Sequence, residues 1–154
     1  MAKAAAAEKQ VAEFLAKYSR EMVQAGRESR ARMRQLLPGG VEFVYDNYNA
    51  LVFGFGPSER PSEAVLSLAL MPKWVTLCFL KGATLPDPKK ILRGSGNIIR
   101  NVRLKTAGDL DDPYIRHLID DAVAAAAPAF PTNGQAPRTI IRSISAKQRP
   151  RRPR

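Results

Sequence analysis

The segment "LRGSGNIIRNVRLK", residues 92–105, is the densest cluster of side chains that could bind an anion. Its glycines and serine could form a loop around a phosphate, and arginine binds phosphate or carboxylate through paired N–H donors. It lacks the spacing of a P-loop, and a strand follows it where a dinucleotide fingerprint requires a helix. The predicted anion-binding residues are Arg93, Ser95, Asn97, Arg100, Arg103 and Lys105.

Polar and apolar residues alternate after the glycines, which indicates an edge strand that a glycine turn precedes. This alternation places Arg103 and Lys105 on one face and Arg100 on the other. The cluster is therefore predicted to divide between two faces, which weakens the interpretation as a single site.

The C-terminal segment, residues 131–154, contains seven bases and no acid in a chain of 154 residues whose net charge is +11. Its prolines and charge predict a largely disordered tail. Such an arm would bind nucleic acid or another polyanion through phosphate contacts, independently of sequence. The predicted polyanion-binding residues are Arg149, Arg151, Arg152 and Arg154. A tail that only increases solubility is the alternative, and "TIIRSI" could instead add a short strand or a binding segment.

Catalytic and metal-binding patterns are weak in this sequence. His117 is the only histidine and Cys78 the only cysteine; they are predicted to be a surface histidine and a buried, unreactive thiol. We therefore expect no enzyme activity and no cofactor, and one histidine with one cysteine excludes the common zinc sites. A hard cation would need the carboxylates of Asp109, Asp111 and Asp112, but helix capping and a solvated helix face explain these acids better.

Two further groups of side chains have more than one interpretation. Tyr45, Asn47, Tyr48 and Trp74 could line a pocket or stack on bases, or they could pack in the core. Four arginines on the second predicted helix form either a solvated helix face or a patch that faces an anion. They are Arg27, Arg30, Arg32 and Arg34.

The elements that would position these residues follow from the apolar periodicity. Two helices are predicted over residues 8–18 and 20–36, separated near an N-cap at Ser19, and residues 1–7 are predicted to fray. Four strands joined by short loops follow, then the motif strand, and then a helix that begins at Asp109 or Asp112 and continues to about Ala127. This order predicts an α+β fold in one domain over residues 8–127, a two-layer sandwich. Its antiparallel sheet of about five strands is flanked by N-terminal and C-terminal helices.

No apolar run has the roughly 18 residues that a membrane span needs. The start of the chain is also too weakly apolar for a secretory signal. The sequence therefore predicts a cytoplasmic protein that does not associate with membranes.

The order Phe-Leu-Lys-Gly, Leu-Pro-Asp-Pro, Leu-Arg-Gly-Ser-Gly-Asn and Asp-Leu-Asp-Asp-Pro over residues 79–113 resembles the YdhG-like bacterial family of unknown function. The resemblance extends from about Val11 to Ala127. It implies a helix-flanked antiparallel sheet of broadly frataxin-like shape. One member of that family has been proposed as an intracellular iron chaperone, so the resemblance implies iron or small-ligand carriage as an alternative function. It supplies no catalytic residues.

Overall fold

The computed structural model describes residues 2–153, which form three α-helices and a six-stranded sheet. The α+β prediction is confirmed, with one more strand than the approximate five predicted. The helices are α1 (Ala2–Leu15), α2 (Arg20–Leu36) and α3 (Pro113–Ala124). The strands are β1 (Val41–Asp46), β2 (Leu51–Gly56), β3 (Leu66–Leu70), β4 (Val75–Phe79), β5 (Arg100–Leu104) and β6 (Arg138–Ile144).

The strand order across the open sheet is β5-β4-β3-β2-β1-β6. The first five strands pair antiparallel, as predicted, whereas β6 pairs parallel to β1 and makes the sheet mixed. Within the sheet, β5 and β6 are the two edge strands.

The two faces of the sheet have different environments. The inner face includes Val44, Phe53, Leu68 and Leu77, which pack with residues of all three helices in one hydrophobic core. Side chains alternate along each strand, so the outer face carries the residues between these positions, and none of them belongs to that core. Over residues 2–153 all three helices therefore pack against the inner face.

The first residues of the helices show which local sequence signals are sufficient to predict where a helix begins. Ser19 caps α2 by accepting a hydrogen bond from the backbone N–H of Met22, and Asp112 caps α3 directly before Pro113. Both N-caps agree with the sequence, where Asp112 was one of two alternatives. The first helix begins at Ala2 and not near residue 8, because alanine has the highest helix propensity and the alanine run extends the helix.

The C-terminal segment contains a strand, whereas the sequence predicted a largely disordered tail. Residues 138–144 form β6, which pairs with the whole length of β1. The alternative strand at "TIIRSI" is therefore the interpretation that agrees with the structure. The physical reason lies in β1, because two buried carboxylates of this strand bind side chains of the C-terminal segment.

Candidate nucleic-acid interface

The glycine-rich motif folds back along the free edge of β5. Arg93 and Asn101 exchange two backbone hydrogen bonds of 2.7 and 2.9 Å, and Gly94 has a φ of 132°. A side chain at this φ would be strained, and its Cβ would lie 3.0 Å from the carbonyl oxygen of Ile99. The glycines therefore serve the turn into the strand, in agreement with the sequence interpretation.

The predicted anion-binding residues do not converge on one point. Arg100 lies opposite Phe79 on the inner face and donates hydrogen bonds to two carbonyls of its own loop. Arg103 lies opposite Thr76 on the outer face. Ser95 and Asn97 are exposed in the loop, and Lys105 is exposed after the end of β5.

Trp74 and Arg103 form a stacked pair on the outer face. The guanidinium carbon of Arg103 lies 3.7 Å from the centre of the Trp74 ring. Arg103 is exposed and Trp74 is half-buried, so a cation and an aromatic surface are presented together. Single-stranded nucleic acids bind to this combination, because bases stack on aromatic rings and arginine contacts phosphate.

No acidic residue of the six described strands lies on the outer face of the sheet. Glu42 and Asp46 are the only acids in the six strands, and both are fully buried on the inner face. The outer-face row next to Arg103 is uncharged and half-exposed. This row contains Tyr45, Val52, Ala69 and Thr76, which lie opposite one another on successive strands. The face is therefore open to a polyanion without repulsion from its own strands.

A second aromatic–arginine pair lies at the same end of the sheet. Arg149 is placed over the ring of Tyr48 at 5.8 Å, and its backbone N–H donates to the carbonyl of Tyr48 at 2.8 Å. Tyr48 is 50% exposed and lies in the β1–β2 turn with Asn47. The predicted aromatic group thus spreads from β1 to β4, roughly 14 Å at the usual strand spacing, and lines a surface instead of one pocket.

Two of the predicted polyanion-binding residues, Arg151 and Arg152, bind the protein itself. Arg151 is 4% exposed and donates to the Asp46 carboxylate at 3.0 Å. Arg152 donates to the carbonyls of Ala16 and Tyr18, which follow the last residue of α1. Arg154 lies outside the described residues. The predicted polyanion-binding tail was a free arm, whereas the structure shows this segment bound to the rest of the protein. Arg149 is still exposed in the bound segment.

The acids considered for a metal have separate local contacts. Asp109 accepts a hydrogen bond from the backbone N–H of Lys105, and Asp111 accepts one from the Arg32 side chain at 3.0 Å. Asp112 is the N-cap of α3. Over residues 2–153 no group of three or more His, Cys, Asp or Glu side chains could hold a metal ion. His117 is exposed beside Asp121, and burial raises the pKa of the Cys78 thiol although a hydrogen bond to Ser67 lowers it.

A buried ionic cluster lies on the inner face, and it contains Arg30 and Arg34, for which a solvated helix face and an anion-facing patch were both open. Arg30 is 8% exposed and binds Glu42 through Nε at 2.9 Å and Nη2 at 2.7 Å. Arg34 and Thr139 also bind the Glu42 carboxylate. Burial opposes the charge on Arg30, but hydrogen bonds to Glu8 and Glu42 outweigh it and raise its pKa. A hydrogen bond from Arg30 in turn lowers the pKa of Glu8.

Glu42 was not identified from the sequence as the partner of these arginines. The alternating "VEFVYD" pattern predicts a strand, but it does not show which face of that strand is buried. The acids at 42 and 46 flank Val44 on one face, and five arginines lie in the preceding helix. This combination is the available signal that an ionic layer lies under the helices.

Comparisons of the chain with protein-family models, curated proteins and solved structures found no match. The YdhG-like resemblance accordingly stays a prediction. None of the three helices has the length and apolar content that crossing a bilayer would require, over the residues described.

Proposed function

We propose that the protein is a non-enzymatic binding protein for single-stranded nucleic acid, and that the outer face of the sheet is its binding surface. The observation that carries the proposal is the Trp74–Arg103 stack on a face whose strands contain no outward carboxylate. Bases would stack beside Trp74 and near Tyr48, while Arg103, Lys105 and Arg149 would contact phosphates. YdhG-like membership, a frataxin-like shape and a cytoplasmic location remain parts of the same proposal.

The net charge of +11 supports the proposal through long-range attraction, independently of the stacks. It does not by itself distinguish the outer face from other basic surfaces. The experiment must therefore compare arginines at different places on the molecule.

Oligothymidylate is expected to quench the fluorescence of Trp74, which is the only tryptophan and therefore an unambiguous reporter. The logarithm of the binding constant should fall linearly with the logarithm of the salt concentration. Binding is measured in parallel by the anisotropy of labelled oligothymidylate. Saturable binding that leaves Trp74 fluorescence unchanged would place the ligand elsewhere and contradict the proposed surface.

Arg103→Gln is expected to weaken this binding and to reduce the salt slope by about 0.7, the value for one phosphate contact to a single strand. Arg103→Lys should keep the slope and still bind more weakly, because lysine lacks the planar group that stacks. Trp74→Ala should weaken binding by about 5- to 150-fold, the loss of one stacked base.

Arg116→Gln is the matched control, because Arg116 is an exposed arginine of α3. Equal weakening by Arg103→Gln and Arg116→Gln would indicate general charge attraction and exclude a specific surface. Arg149→Gln tests the C-terminal contribution better than removal of residues 131–154, since that deletion also removes β6 and the partners of two buried acids.

A further inference from the structure

A large cleft opens on the opposite side of the molecule, between α1, α2 and the segment 134–140. Its volume is about 1460 Å³, which exceeds the roughly 300–1,000 Å³ of typical small-molecule pockets. Small side chains face the space between the helices, namely Ala4 and Ala12 of α1 and Ala31 of α2. The cleft exists because these positions carry methyl groups where larger residues would fill the gap.

The charge in this cleft is unbalanced. Arg30 and Arg34 neutralise Glu8 and Glu42. Glu8 is the only acid among the described residues of the lining, and it forms two hydrogen bonds with Arg30, at 2.7 and 2.8 Å.

Three cations of the lining remain after this pairing, and one of them, Arg138, pairs with Glu59 outside the lining. Lys3 on α1 and Arg27 on α2 both line the cleft, and neither has a carboxylate partner within residues 2–153. The site therefore combines apolar walls with two unneutralised positive charges, one on each helix.

We infer that this cleft binds an amphipathic anion, a carboxylate carried on an alkyl body. The alkyl body would lie against Ala4, Ala12 and Ala31, and the carboxylate would be attracted by Lys3 and Arg27. A neutral alkyl compound would lack the charge attraction, and an alkyl cation would be repelled. The inference is independent of nucleic-acid binding, because the two surfaces lie on opposite faces of the sheet.

Decanoate is the probe, and 1-decanol and decyltrimethylammonium are its uncharged and charge-reversed controls. Decanoate is expected to bind in calorimetry and to shift backbone amide resonances of α1, α2 and residues 134–140. Decyltrimethylammonium should bind at least about tenfold more weakly, the effect of a modest electrostatic difference in a partly solvated site. Equal binding of the two ions, or shifts confined to other parts of the chain, would overturn the inference.

Ala12→Glu and Ala12→Lys form a matched pair, because residue 12 is an exposed helix position that lines the cleft. Both new side chains are good helix formers, so both variants should fold, with Ala12→Lys the more stable because residue 12 lies in the last turn of α1. Ala12→Glu is expected to weaken decanoate binding at least about tenfold relative to Ala12→Lys. Identical affinities in two folded variants would also overturn the inference, whereas oligothymidylate affinity reports separately on the sheet surface.

Discussion

Arg30→Ala is expected to lower the free energy of unfolding by about 3–5 kcal/mol, the usual cost of leaving a buried charge without its partner. Glu42 is fully buried, and it would keep only Arg34 and Thr139 as side-chain partners. The corresponding fall in the melting temperature is roughly 6–20 °C for a chain of this size. Urea unfolding monitored by circular dichroism measures the change.

Arg32→Ala is the control for this substitution, because Arg32 lies on the same helix and pairs with Asp111 at the surface. An exposed pair of this kind contributes only about 0–1 kcal/mol. The double variant Arg30→Met with Glu42→Leu should recover much of the loss, since apolar residues of similar size can replace a buried ion pair. An Arg30→Ala variant as stable as Arg32→Ala would show that Glu42 is satisfied without Arg30.

The sequence was sufficient wherever local chemistry decides the structure. The caps at Ser19 and Asp112, the strand at residues 41–46 and the turn at Gly94 all follow from short-range preferences. Residues 87–92 form a loop with no helical turn among the residues described. In this loop the Asp87 carboxylate accepts hydrogen bonds from the backbone N–H groups of Ile91 and Leu92. These bonds stabilise the loop in place of helical hydrogen bonds.

The C-terminal segment was misread because its structure depends on residues about a hundred positions earlier. Composition alone gives prolines and uncompensated bases, which is typical of disorder. The compensating acids are Glu42 and Asp46 on β1, and period-two alternation does not show that β1 has a second neighbour in β6. Arg103 and Trp74 were likewise recognised separately, but only the β4–β5 register brings their side chains together.

Arg151→Ala is expected to produce the second large loss, about 2–4 kcal/mol of unfolding free energy. Asp46 is fully buried and would keep Lys17, which is 40% exposed, as its remaining charged partner. The loss should be smaller than for Arg30→Ala because Arg151 binds one carboxylate, whereas Arg30 binds both Glu8 and Glu42. In addition, Nε and Nη1 of Arg151 are buried with no hydrogen-bond partner among the described residues, and their removal offsets part of the cost.

Arg149→Ala tests the same segment without the buried pair and should change stability by no more than about 0.5 kcal/mol. In a double-mutant cycle, Asp46→Asn combined with Arg151→Ala should cost less than the sum of the single losses, because each change alone leaves a buried partner unpaired. Hydrogen exchange gives a local readout, since the β6 amides bonded to β1 should lose protection in Arg151→Ala before the central strands do. If Arg151→Ala matched Arg149→Ala in both stability and exchange, the Asp46–Arg151 pair would have no part in holding the C-terminal segment on the sheet.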